Sequence, residues 1–412
     1  MELTINKAAI LADLDAIAAC SDSPPPGVTR LVYGEADQRA RAYVRDRCLQ
    51  VGLQLREDAL GNLFARWPGT APDLPAVASG SHIDALPDAG RYDGTVGVVG
   101  ALEAISALRR AGYQPRHSLE LILFTAEEPT RFGLGCLGSR ALAGALDPEQ
   151  LRALRDSAGR SLDELRVAAG FTGPLDMVQL NRGHYAAFVE LHIEQGSILE
   201  TEGVPIGVVR AIAAPATLRV HLQGQGGHAG AVLMLERRDA LLAGAEIALA
   251  VEHAALSTGS PNTVATTGGF QIEPGAVNAI PSAATLAIDV RDSAAEPRDH
   301  ALAAISAAVA AICGRRHVAY QLDLLNADPP ATCDPAVIEA LVTVCEALGF
   351  PREIMVSRAY HDSLFMARLC PSGLIFIPSR GGVSHCADEY ADPDHICQGV
   401  AVLAHTLARL SG

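Results

Sequence analysis

Two apolar periods alternate along the chain, and their switches mark the elements. Pro75–Gly80 is a short apolar run ending in small residues, the pattern of a buried strand. Val98, Leu102, Ile105 and Leu108 then share one helical face, so a helix is expected from just after Asp93 to Arg110. Further strands are expected at Leu119–Thr125, at AAFVELHI before Glu194, and at 204–212. Before them, an amphipathic N-terminal helix meets SDSPPPG at 21–27, which proline keeps out of helix. A second helix stops at Gly52, and residues 53–67 read as a hairpin turning near Gly61 and Asn62. Residues 145–180 read as polar, peripheral helix.

From Ala213 the pattern changes to strand, helix, strand, strand, helix, strand. That order predicts a ferredoxin-like α+β unit at 213–327, inserted into an α/β domain of residues 1–212 and 328–412. After it, a helix is expected beginning at His361 and Asp362. A strand then leads through a Gly-Gly loop to His385, and an amphipathic last helix covers the sheet.

Composition narrows the class. The 412 residues are 49% hydrophobic and 19% charged, which is globular and long enough for two domains. A net charge of -15 disfavours nucleic acid and anionic membrane as partners. No window reaches the ~18 unbroken apolar residues of a membrane span. Nine cysteines with no CxxC fit a reduced, cytoplasmic chain without a disulfide framework.

The candidate chemistry sits at strand ends. His82, Asp93, Glu128, His192 and His385 are imidazole and carboxylate donors, each just past an apolar run or a tight loop. Any one of them alone reads as an ordinary loop residue. Together, three imidazoles and two carboxylates can hold two divalent ions if one carboxylate bridges. Nitrogen and oxygen donors without thiolate suit Mn, Zn, Co or Ni. Glu127, beside a ligand yet free, fits a general base. Gly133–Gly138 matches GxGxxG but does not follow its strand directly, and two carboxylates precede it, so a nucleotide loop is rejected.

The motifs GSHIDALPDAGRYDG, FTAEEPTRFG, ELHIEQG, GGHAGAVLM, NAIPSAATLAIDVRD and GGVSHCADEY resemble the dinuclear metal amidases of the hydantoinase/carbamoylase family. That family includes N-carbamoyl-L-amino-acid hydrolases, allantoate amidohydrolases, β-ureidopropionases and ureidoglycolate amidohydrolases. The resemblance implies a metallo-aminopeptidase-like α/β domain with an inserted dimerisation and lid domain. It implies one ion on His82 and His192, another on Glu128 and His385, and Asp93 bridging. Asp84 would orient His82, Glu127 would be the acid/base, and His228 would stabilise the oxyanion. Asn278 and Arg291 would grip a substrate carboxylate, with Gln195 and His361 lining the pocket; Arg291 could instead pair with Asp289 or Asp292. Homodimerisation through 213–327 is implied as well. SRAYHDS, with Arg358 and Tyr360, resembles the ureidoglycolate amidohydrolase branch most. A dipeptidase or N-acyl-amino-acid amidase on the same fold is the alternative, and a non-catalytic metal-binding scaffold a remoter one.

Overall fold

The structure, a computed structural model, describes residues 2–412. Helices α1 (Lys7–Ala18) and α2 (Glu35–Gln50) precede a hairpin of β1 (Gln54–Glu57) and β2 (Leu63–Trp67). Then follow β3 (Ala76–Ser81), α3 (Thr95–Arg110), β4 (Leu119–Leu123), β5 (Tyr185–Ile193) and β6 (Ile206–Ile212). The next stretch holds β7 (Ala214–Gln223), α4 (Ala240–Leu256), β8 (Val264–Glu273), β9 (Ala283–Asp292), α5 (Ala295–Arg316) and β10 (Ala319–Ala327). The chain ends with α6 (Pro335–Leu348), β11 (Ser372–Ile377) and α7 (Pro393–Ser411).

These elements form two compact units. The first holds residues 2–210, 332–355 and 361–412, and the second 211–331 and 356–360. Against the expected 213–327, the second unit begins two residues earlier and ends four later, and it gains the strip 356–360. Ser357 O accepts from Ala213 N at 2.8 Å, and Tyr360 Oη meets Asn326 Nδ2 at 2.8 Å, which ties the strip to the second unit.

In the first unit the sheet runs β6-β11-β5-β3-β4-β2-β1. The four strands β11, β5, β3 and β4 are mutually parallel, while β6, β2 and β1 are antiparallel additions. Alternate residues serve opposite faces. Val189 and Leu191 of β5, with Leu121 and Leu123 of β4, meet apolar stripes of α1, α2, α3 and α7. Phe188 and Ile122 face the other way, into a second cluster with Leu142, Leu151, Leu162, Phe171 and Val178. The 145–180 region is therefore a cover for that face and not peripheral. Its helices are short turns at Pro148–Ala153 and Leu162–Ala168, each opened by a capping box, from Asp147 and Ser161.

The second unit is an antiparallel sheet in the order β8-β9-β7-β10 with α4 and α5 on one face. Alternation does the work: Leu218, Val220, Leu222, Leu286, Ile288 and Val290 meet Ala243, Ile247 and Val251 of α4 and Ile305 and Val309 of α5.

Candidate active site

Parallel strands aligned side by side present their C-terminal ends along one edge, where α/β sheets place ligands. Here His82 follows β3 directly, His192 lies in the last turn of pleat of β5, and Glu127 and Glu128 follow β4. The segment after β11 leads to His385. Asp93 immediately precedes Gly94, the N-cap of α3, whose φ of 59° is left-handed. A Cβ there would lie 2.3 Å from His82 Nε2, so glycine lets the helix start pass the imidazole.

Asp93 is the centre of the cluster. Its Oδ1 lies 3.2 Å from His192 Nε2 and 3.5 Å from His82 Nε2, and its Oδ2 lies 3.2 Å from His385 Nε2. His385 Nε2 is 3.7 Å from Glu128 Oε1. Two donor triads thus share Asp93, with ligand atoms within 4.8 Å of one another: His82, Asp93 and His192, and Asp93, Glu128 and His385. Glu190, His192 and His361 are equally close, but Ser81 Oγ, Ser363 N and Ser363 Oγ already bond Glu190.

The tautomers test whether these residues suit a cation. His82 Nδ1 faces Asp84 O at 3.1 Å and His192 Nδ1 faces Ile193 O at 2.9 Å. A carbonyl only accepts, so both Nδ1 atoms carry hydrogen. Each neutral ring then turns the lone pair of Nε2 toward a carboxylate oxygen, which repels unless a metal ion or an added proton lies between; at His192 that nitrogen also accepts from Gly94 N at 3.1 Å. The donor set fits one or more divalent ions. Without them the carboxylates draw in protons. Burial opposes charge on His82, yet Glu127, Asp93 and Asp84 outweigh it and hold the imidazole well above its usual range. His385, bonded to Asp93, is pushed up to about 9. Burial lifts the Glu128 carboxyl to about 7, helped by Asp93. Burial likewise raises Glu127 well above the carboxylate range, with Glu128, Asp362 and Asp93 adding to it.

A further layer holds these groups in place. Asp84 touches His82 chiefly through its backbone carbonyl; its carboxylate instead accepts from Glu127 N at 3.1 Å and Glu128 N at 3.0 Å. Glu389 accepts from Tyr92 N, Asp93 N and Ser384 Oγ, clamping Asp93 and the His385 loop together. Buried Arg30 donates to Ile83 O, between His82 and Asp84, and to Ile17 O and Cys20 O. Sequence reasoning missed Glu389, Glu190, Ser384 and Arg30. Only the motif SHCADEY, which carries Glu389 four residues beyond the ligand histidine, held a usable signal.

The other nominated residues divide by unit. Gln195 Nε2 donates to Asp93 Oδ2 at 2.7 Å, and its buried Oε1 has no hydrogen-bond partner among the described residues. The His361 ring stands edge-on to His192, centroids 4.5 Å apart. His228, Asn278 and Arg291 belong to the second unit. His228 pairs in a two-residue bridge with Ala279, beside Asn278, whose O accepts from Ala229 N. Arg291 pairs with Asp289, Nε to Oδ1 at 2.6 Å, the alternative the sequence left open.

Residues 78–409 match the peptidase family M20/M25/M40. The chain is 50% identical over 403 residues to a ureidoglycolate hydrolase of Oryza sativa subsp. japonica, covering 97% of this chain and 83% of that one. A crystal structure of AtUAH in complex with glyoxylate superposes with a TM-score of 0.94 at 48% identity, over 99% of this chain and 98% of the other. A hydantoinase/carbamoylase family amidase from Burkholderia vietnamiensis gives 0.92 at 30% identity, over 100% and 99%. With its two donor triads around a shared aspartate, the chain belongs to peptidase family M20/M25/M40, in the hydantoinase/carbamoylase group of amidases.

Proposed function

We propose that the protein hydrolyses the ureido C–N bond of a small carboxylate, with ureidoglycolate as the leading substrate. The carrying observation is Asp93, with one oxygen facing His82 and His192, the other facing His385, and Glu127 outside both triads with its Oε2 3.7 Å from His82 Nε2. The 50% identity to a ureidoglycolate hydrolase over 97% of the chain supports the substrate. Two ions, Mn or Zn before Co or Ni, would be held by His82, Asp93 and His192 and by Asp93, Glu128 and His385. When bound, such ions supply Lewis-acid polarisation of a carbonyl and acidify water.

The chain's residues do the rest. Glu127, kept basic by burial and neighbouring acids, accepts the proton from the attacking water. It returns that proton to the leaving nitrogen as the C–N bond breaks. Ammonia leaves, the carbamate loses carbon dioxide, and ureidoglycolate yields an amino alcohol that sheds a second ammonia to give glyoxylate. His228 donates to the oxyanion, Asn278 and Arg291 hold the carboxylate, and Gln195 and His361 shape the pocket.

The second unit serves as lid and dimerisation domain in this reading. β8 is an edge strand, and Leu249 and Leu256 on α4 are 68% and 79% exposed, which supports pairing with a second copy. Nine free cysteines support a reduced, cytoplasmic setting. The test is ammonia release from ureidoglycolate, allantoate and N-carbamoyl amino acids, beside release of the free amino acid from acyl amino acids and dipeptides, with each metal in turn. Glu127→Gln should lose about 10²–10⁴-fold in kcat on the best substrate. Turnover within about tenfold of the parent would remove the base, and preference for a dipeptide would replace the substrate class.

A further inference from the structure

The GxGxxG segment rejected as a nucleotide loop packs backbone to backbone on the turn that carries Glu127. Cys136 N donates to Glu127 O at 2.7 Å, Leu137 N to Ala126 O at 2.9 Å, and Gly138 N to Thr125 O at 2.8 Å. The glycines permit that approach: a Cβ at Gly135 would lie 2.7 Å from Glu127 O, and one at Gly138 2.2 Å from Asn62 Oδ1. Cys136 itself sits at φ 56°, a left-handed conformation that a non-glycine residue keeps only when its surroundings enforce it. That backbone aims a fully buried thiol at the carboxylate, with Sγ 3.3 Å from Glu127 Oε1. The other oxygen, Oε2, lies 3.7 Å from His82 Nε2, on the side of the donor triads.

We propose that Cys136 is a positioning residue for Glu127: its S–H donates to Oε1 and so leaves Oε2 as the atom that exchanges the proton. The inference rests on Glu127 as the general base. Burial and the nearby Glu127 and Asp362 carboxylates push the thiol well above its usual range, so it keeps its hydrogen and donates. A thiol suits the task because it is a weak donor. An Arg or Lys at this place would orient the carboxylate but also stabilise its charge and lower its basicity. The S–H bond fixes direction while leaving the base strong.

Three variants and one spectrum decide it. Cys136→Ala should lower kcat about fivefold, the worth of one modest hydrogen bond, with KM within about twofold of the parent. Cys136→Ser, which restores a donor, should recover most of the rate, and metal content should be unchanged in both. In the metal-free protein, the S–H stretching band absent from Cys136→Ser should move to higher wavenumber in Glu127→Ala, because the acceptor is gone. Parental kcat in Cys136→Ala beside an inactive Glu127→Gln, or a band that stays put, overturns the role of the thiol and leaves the base intact. An active Glu127→Gln instead overturns the base itself.

Discussion

Each imidazole of the cluster has its Nδ1 hydrogen committed to a backbone carbonyl or its Nε2 pressed on Asp93, so the site must hold positive charge. Protons supply it when metal is absent. His385 has a folded pKa of about 9 against an ordinary 6.5, a raised value. Its contribution to stability is therefore fully present below 6.5 and is lost as pH rises through about 9. Glu128, raised to about 7 from 4.5, acts in the same direction over its own lower range. The metal-free protein should thus show a falling Tm between pH 6.5 and 9. The metal-loaded protein, whose ligands no longer need protons, should hold its Tm there, and the gap between the two should widen. Thermal melts with chelator and with added Mn or Zn, across that range, measure it; parallel curves would show that the imidazoles do not exchange protons for metal. The donor residues were legible because each lies in its own strand-end motif. Of their supports only Asp84 was named, and its carboxylate hold on Glu127 N and Glu128 N was not; Glu389 was missed because it reaches Asp93 across 296 positions.

Four parallel strands ending on one edge explain why residues so far apart in sequence share a site, and the short links after them set the geometry. The tightest is the start of α3. Gly94 holds φ 59° with its Cα against the His82 ring, so Gly94→Ala both strains the backbone and drives a methyl into Nε2. Such strain costs of order 1–3 kcal/mol. The larger effect should fall on the metal: His82 must turn away, so metal affinity should drop by at least about tenfold while the folded state persists, as removing a ligand's orientation does. Metal titration of the chelator-stripped variant, followed beside its circular dichroism, checks both; parental affinity would mean the start of α3 does not set the imidazole. The strands and long helices were readable from period alone. The 145–180 segment was not, because its buried residues, such as Leu151, Leu162 and Phe171, are too widely spaced to show a face before the sheet that they cover is known.

At the scale of the molecule, two units divide the labour: one gathers acids and imidazoles, the other has a core on one side of a four-stranded sheet. The strand and helix order of the second unit was readable from alternation, whereas the strip 356–360 was not, since Tyr360 joins it through a hydroxyl bonded to Asn326. That unit leaves a distinctive surface. Leu242, Leu249 and Leu256 recur at seven-residue spacing on the side of α4 away from its core, beside edge strand β8 with Val264, Phe270 and Ile272 exposed. An unpaired edge next to an apolar stripe invites a second chain, because strand addition satisfies the backbone groups while the leucines leave water. Leu249→Asp with Leu256→Asp places two charges in that stripe without touching the core. Sedimentation should show a dimer for the parent and a monomer for the double variant. Both should melt at the same temperature once extrapolated to low concentration and carry the same metal per chain. A monomeric parent would overturn the dimer, and a double variant that still sediments as a dimer would move the interface away from α4 and β8.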